Sequence, residues 1–233
     1  MENVIEQSAL RQNKNKMLHY GAFILIVVGL FYLTELLRFA DPLFEHIYYG
    51  NLVDFFINIL KGICYLTITI LAMGYSKKHF KLNNIYDSKK RLPIKRVFLL
   101  YCIVIGIIFI VTASLNFKVK IVVDLGSNIT GATLMKNISN IVLGIIRMAL
   151  VIVVIRHSQE FFELLINKNW AKNVPFGGIV AMILIGTFVL VISGVSLINI
   201  VLYFMYIVYG ELYLLSYRYF PTSYVSAMLI QLL

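Results

Sequence analysis

KKHFKLNNIYDSKKRLPIKR, residues 77–96, is the stretch on which the reading of the whole chain turns. Eight of its residues are basic (Lys77, Lys78, Lys81, Lys89, Lys90, Arg91, Lys95, Arg96), one is acidic (Asp87), and long apolar runs stand on both sides. Short loops rich in Lys and Arg stay on the cytoplasmic side of a membrane. The loop therefore reads as the cytoplasmic anchor of a multi-pass membrane protein, and it fixes the side on which every other segment falls.

The composition agrees. Of 233 residues, 60% are hydrophobic and only 14% charged, and the mean hydropathy is +0.85. A soluble domain carries roughly a quarter charged residues, so lipid is the better solvent for this chain. The net charge of +10 would suggest nucleic acid in a soluble protein. Here the excess sits in loops beside apolar spans, where topology and anionic lipid headgroups account for it. Nucleic acid is not expected as a partner. Cys64 and Cys102 both lie in apolar runs, with no CxxC and no disulfide framework. Residues 1–17 are polar and mildly basic, without the short apolar core and small-residue site of a cleaved signal peptide.

Six spans are expected, at about 18–37, 52–74, 97–116, 138–155, 176–193 and 196–217, each near the ~20 residues that cross a hydrocarbon core. The fold class is thus all-α and polytopic: a cytoplasmic segment 1–17, a six-helix domain 18–217, and an interfacial C-terminal tail 218–233. With the basic loop inside, cytoplasmic segments hold fifteen Lys/Arg and outer segments four (Arg38, Lys118, Lys120, Lys136), which places both termini in the cytoplasm. The loop 117–137 begins in alternation (FKVKIVVD) and reads as an extended segment or hairpin on the outer surface. Span four is expected to continue as an interfacial helix through Phe161 and Phe162 to Trp170. Sequons at Asn128 and Asn137 matter only in a secretory pathway. The Lys/Asn/Ile-heavy usage points instead to a bacterial cytoplasmic (inner) membrane.

Ionisable residues inside spans are few and costly. A Lys or Arg at the bilayer centre costs about 2.5–3.5 kcal/mol on insertion scales, so it faces the bundle interior or water. Lys61 and Arg147 both fall near mid-depth. Asp54, Asn58, Lys61 and Tyr65 share one helical face; Asn140, Gly144 and Arg147 share another; Tyr203 and Tyr206 belong to a tyrosine stripe on span six. Glu35 is placed beside Asp54 in depth. Together these faces are expected to line a cavity with carboxylates at its mouth and cations at its floor, taking a small anionic or amphipathic ligand. The bland alternative makes Lys61 and Arg147 structural staples, Lys61 to Asp54 and Arg147 to Glu35. Glu211 and Arg218 read as a local pair.

Catalytic and metal signals are missing. The four histidines are scattered, with no HExxH, G-x-S-x-G, Walker or dinucleotide pattern, so no cofactor, no metal and no catalytic residue is expected. The sequence points to a non-enzymatic protein that binds or moves its ligand, or acts in self-protection or regulation through helix contacts. An intramembrane enzyme is the least favoured class. Six spans, both ends inside and a polar N-terminal segment are similar in topology to the membrane (permease) subunit of small ABC-2-type exporters, which implies an ATPase partner. The chain departs from that pattern where spans five and six meet, because a turn of a few residues leaves no room for the extracellular helices of such subunits.

Overall fold

A computed structural model describes residues 2–40, 50–80, 94–114 and 131–232. They form helices α1 (Glu2–Leu36, extended by a 3-10 turn Leu37–Ala40), α2 (Asn51–His79), α3 (Ile94–Ser114), α4 (Gly131–Ile166), α5 (Phe176–Ser193, with a π-turn at Met182–Gly186), α6 (Leu197–Leu215) and α7 (Phe220–Leu232). Among the described residues there is no strand. The four prolines explain where helices can run: Pro42, Pro93, Pro175 and Pro221 all stand at or beside helix ends, leaving every interior free of a breaker.

Among the described residues, four helical stretches are long and apolar enough to cross a membrane: Asn13–Phe39, Asn51–His79, Gly131–Ile166 and Phe176–Ser193. Leu25, Leu33, Ile63, Leu71, Phe98 and Val191 are all more than half exposed, an outward apolar surface that lipid solvates and water does not.

α2 and α4 lie side by side and parallel. Asn51 bonds Thr133 at 2.9 Å, Asp54 pairs with Lys136 at 2.5 Å, and the Asn58 amide donates to Ser139 Oγ at 2.9 Å and Asn140 Oδ1 at 2.7 Å. At the far end Ser76 meets His157 at 2.7 Å. Every pair is offset by 81 or 82 residues, so the helices hold one register along their length. The end carrying Asn51 and Thr133 is called upper here, and the end carrying His79 and Ile166 lower. α1 runs antiparallel to both, since Glu35 near its C-terminus meets Lys61 while Tyr20 stacks on Phe80.

α4 is the centre of the bundle. It packs against α1, α2, α5, α6 and α7, and Leu150–Gln159 are all buried, as expected of a helix covered on every side. α5 starts at its lower end, where Gln159 accepts from Gly177 N at 3.0 Å and donates to the carbonyls of Ala171 and Val174. Glycine is obligatory in this packing. A Cβ on Gly177 would lie 2.1 Å from the Ile155 carbonyl oxygen, and one on Gly178 would lie 2.6 Å from Tyr206 O and 2.9 Å from the Cα of Gly210 on α6. Small residues let helix backbones approach in this way where lipid supplies no hydrophobic drive. Three residues join α5 to α6, with Ser196 capping α6 through Asn199 N at 3.2 Å.

Several expected boundaries shift. α4 begins at Gly131, so 131–137 is helix rather than the end of an extended loop, and the Asn137 sequon lies on it. The rest of the 117–137 reading, most of the 77–96 loop, and Asp41, Glu45 and His46 lie outside the described residues. The lower part of α4 is interior, with Arg156, His157, Ser158 and Gln159 buried, and the helix stops at Ile166 because Asn167 turns left-handed (φ 48°) before a 3-10 turn Asn169–Asn173. α7 packs along α4 and α6, and its Tyr224 hydroxyl donates to Ile145 O at 3.1 Å.

Candidate functional site

The residues singled out for chemistry converge on a cavity of about 330 Å³ in the upper half of the bundle, between α1, α2, α4 and α5. Glu35, Asp54, Asn58, Lys61, Asn140 and Arg147 all line it. The helical stripes put them there: Asp54, Asn58 and Lys61 on α2 face Lys136, Asn140 and Arg147 on α4 across the parallel seam.

Its floor is a charge cluster with an uneven count. Lys61 Nζ lies 3.0 Å from Glu35 Oε2, Arg147 Nη1 lies 3.9 Å from Glu35 Oε1, and the Tyr65 hydroxyl donates to Glu35 Oε1 at 2.5 Å. One carboxylate thus serves two cations. Lys61 is nearly closed off at 7% side-chain exposure, whereas Arg147 keeps 25%, a surface that faces the cavity although the residue sits deep in the bundle. Tyr65, Tyr206 and Tyr209 are further electrostatic neighbours of the guanidinium.

This corrects two sequence expectations. Lys61 pairs with Glu35 and not with Asp54, which is taken by Lys136. Glu35 also lies at the level of Lys61 and Tyr65, below Asp54. The first turns of α2 rise past the end of α1, so counting residues from each helix end misjudged their relative depth. Tyr65 stands at the floor through its bond to Glu35. Tyr203 and Tyr206 do not line the cavity: their rings lie against Gly186 in the π-turn of α5, leaving Tyr206 behind Arg147.

Residues the sequence reading passed over complete the wall. Among the described residues, Lys136 and Arg38 bring the lining to four cations against two carboxylates. Lys136 was legible in principle, since it precedes Asn140 by four and Arg147 by eleven on one helix face. Arg38 follows Glu35 by three and has no ion-pair partner among the described residues. Phe188, Val189 and Ile192 of α5 give one apolar side. The π-turn just below aims them: it leaves the Leu184 carbonyl to accept from the Tyr32 hydroxyl, while the Tyr32 ring stacks on Phe188 at 4.1 Å. Single π-turns inside α-helices concentrate at functional sites.

Two other polar clusters lie in the lower half. Arg218 pairs with Glu163 at 2.9 and 2.5 Å and with Glu160 at 3.4 Å, and does not pair with Glu211 as the sequence suggested. Burial alone would lower the Arg218 pKa; the hydrogen bonds and charge of Glu163, with Glu160, reverse this and raise it. These pairs hold the α6–α7 turn, where Tyr217 and Arg218 are both left-handed. The second cluster is the Ser76–His157 contact. His157 Nδ1 faces the Val153 carbonyl at 2.7 Å and so carries the proton, leaving Nε2 toward the serine. Serine beside histidine suggests a nucleophile and its base, but Ser76 is 0% and His157 1% exposed under Phe23 and Phe80. No substrate reaches them, and the pair acts as a staple between α2 and α4.

Among the described residues no group of three or more His, Cys, Asp or Glu is placed to hold a metal. The described chain is an all-helical protein with four helices of membrane-crossing length and apolarity and a charged cavity between them. Comparison with protein-family models, curated proteins and solved structures gives no match to it.

Proposed function

We propose that the chain is a six-span protein of a bacterial cytoplasmic membrane, with both termini inside, that binds or moves a small anionic or amphipathic ligand through the upper cavity. The observation that carries this reading is the floor, where Glu35 is the one acid among the described residues that pairs with Lys61 and Arg147. Among the described residues, two cations against one carboxylate leave a positive charge at the floor without a counter-charge. Such a charge is expensive in lipid, and a bound carboxylate or phosphate oxygen would balance it. The apolar wall of Phe188, Val189 and Ile192 suits a ligand with a short hydrocarbon part.

Connectivity favours the count of six. α2 ends at the lower face while α4, parallel to it, begins at the upper one, so the chain between must cross back. α3 lies in that interval, its 21 residues spanning ~31 Å at ~1.5 Å per residue. α6 likewise returns from the upper end of α5 to the lower salt bridges of Arg218. The competing reading, a permease subunit with a separate ATPase, shares this topology. The three-residue link between α5 and α6 leaves no room for extracellular helices and weighs against it.

Thermal unfolding of the detergent-purified chain in hexanoate, against chloride at equal ionic strength, tests the cavity. Hexanoate should raise the Tm of the wild type, and Arg147→Gln, which keeps the Lys61–Glu35 pair, should remove the shift. Arg38→Gln, at an exposed position, should weaken it. A wild type indifferent to hexanoate, or a shift retained in both variants, would overturn the reading.

A further inference from the structure

A second cavity, of about 430 Å³, lies at the lower end of α1, α2 and α4. Lys16, His19 and Tyr20 of α1, His79 of α2 with Phe80 just beyond it, and Glu160 of α4 line it. Its chemistry differs from that of the upper cavity. Aromatic rings form one side: Tyr20 stacks on Phe80 at 4.2 Å, and the His79 ring stacks on Tyr75 at 4.3 Å. Their faces are occupied by one another, so the walls offer edges and polar tips rather than an open cage for a cation. Lys16, His19 and His79 are exposed and bring donors to the rim, with no hydrogen-bond or ion-pair partner among the described residues. The one carboxylate among the described lining residues, Glu160, is held by Arg218 at 3.4 Å.

A further cation stands behind this wall. Arg156, one turn before Glu160, is only 7% exposed, and its Nε and Nη1 have no hydrogen-bond partner among the described residues. Its charge acts on Tyr20 and on Glu160, both of which line the cavity. A buried guanidinium with unbonded donors is a costly arrangement, and an anion in the adjoining cavity would lower that cost.

The location narrows the ligand. The lining residues sit where α1 and α2 pass from apolar to basic sequence, at Lys16–Tyr20 and Tyr75–His79. Aromatic and basic side chains together are what a headgroup layer collects. We propose that this lower cavity binds a phosphate group, that of an anionic lipid headgroup, through Lys16, His19 and His79, with Arg156 supplying field from behind. The site shares no lining residue with the upper cavity, so failure of either leaves the other standing.

Native mass spectrometry of the full chain, exchanged into phosphatidylglycerol or phosphatidylcholine nanodiscs and then released, tests this. Phosphatidylglycerol should stay bound and phosphatidylcholine should not. The triple variant Lys16→Ala/His19→Ala/His79→Ala should reduce retention about tenfold. The variant Lys77→Ala/Lys78→Ala, which removes charge outside the lining, should leave most of it. A parallel arm measures the Tm shift in inorganic phosphate. A phosphate shift lost in the triple variant, without lipid retention, would keep the phosphate site but overturn its lipid occupant. Equal retention in wild type and triple variant, or equal loss in both variants, would overturn the site.

Discussion

At the scale of single residues, the weight falls on Glu35. Lys61 and Arg147 both depend on it, whereas Glu35 has either cation and the Tyr65 hydroxyl in reserve. The two ends of the Lys61–Glu35 bridge should therefore respond unequally to substitution. Glu35→Gln leaves the buried Lys61 and the part-buried Arg147 as like charges without their shared carboxylate, and breaking a buried pair costs ~3–5 kcal/mol. Lys61→Met leaves Glu35 with Arg147, replaces an amine stem by an apolar one, and should cost under ~1 kcal/mol, the range of a mild substitution. Combining the two should recover much of the loss, since a single cation then remains. Urea unfolding in a fixed detergent reads all three. A Lys61→Met as damaging as Glu35→Gln would mean that Lys61 is the essential partner and that Arg147 does not share the carboxylate. The sequence exposed the ingredients of this cluster because mid-span charges are rare enough to notice. Which acid met which base was hidden, since one helix's periodicity fixes a side chain's face but not its offset from the neighbouring helix.

At the scale of elements, the glycines separate packing from mere helix formation. Gly177, Gly178 and Gly210 sit where backbones touch, while Gly74 on α2 has open space around its missing Cβ. Gly177→Ala drives a methyl into the Ile155 carbonyl and should cost about 1–3 kcal/mol or more, the usual penalty of overpacking. Gly74→Ala should be neutral or stabilising by up to ~1 kcal/mol, because alanine loses less freedom than glycine in a helix. Melting temperatures of the two variants in one detergent should move in opposite directions or differ clearly. Equal shifts would remove the close α4–α5 approach from the account. Hydropathy found the long apolar helices with ease, because length and apolarity are local properties. It missed the first two turns of α4, whose Thr133 and Lys136 read as loop by composition and are helical because Asn51 and Asp54 pair with them across the seam. It also missed the Ser76–His157 staple, whose members are 81 residues apart and carry no shared motif.

At the scale of the whole molecule, the two cavities sit at opposite ends of the α1–α2–α4 unit, separated by a layer in which Phe31, Tyr65, Val27, Val28 and Val151 are all buried. Which end faces the cytoplasm decides what each cavity meets; in the proposed topology, which rests on the charge bias of fifteen Lys/Arg to four, the lower end is the inner one. The described residues offer reporters at both ends of a single helix. Val195, just past the upper end of α5, is 78% exposed, and Asn169, just before its lower end, is exposed as well. In a background of Cys64→Ala/Cys102→Ala, Val195→Cys should react with a membrane-impermeant thiol reagent in intact cells, and Asn169→Cys only after permeabilisation. Because α5 is one continuous helix from Phe176 to Ser193, the two positions must report opposite sides if it spans. Labelling of both in intact cells would deny that α5 crosses. The reversed pattern would turn the molecule over, placing the upper cavity toward the cytoplasm and the phosphate-seeking lower cavity in the outer leaflet.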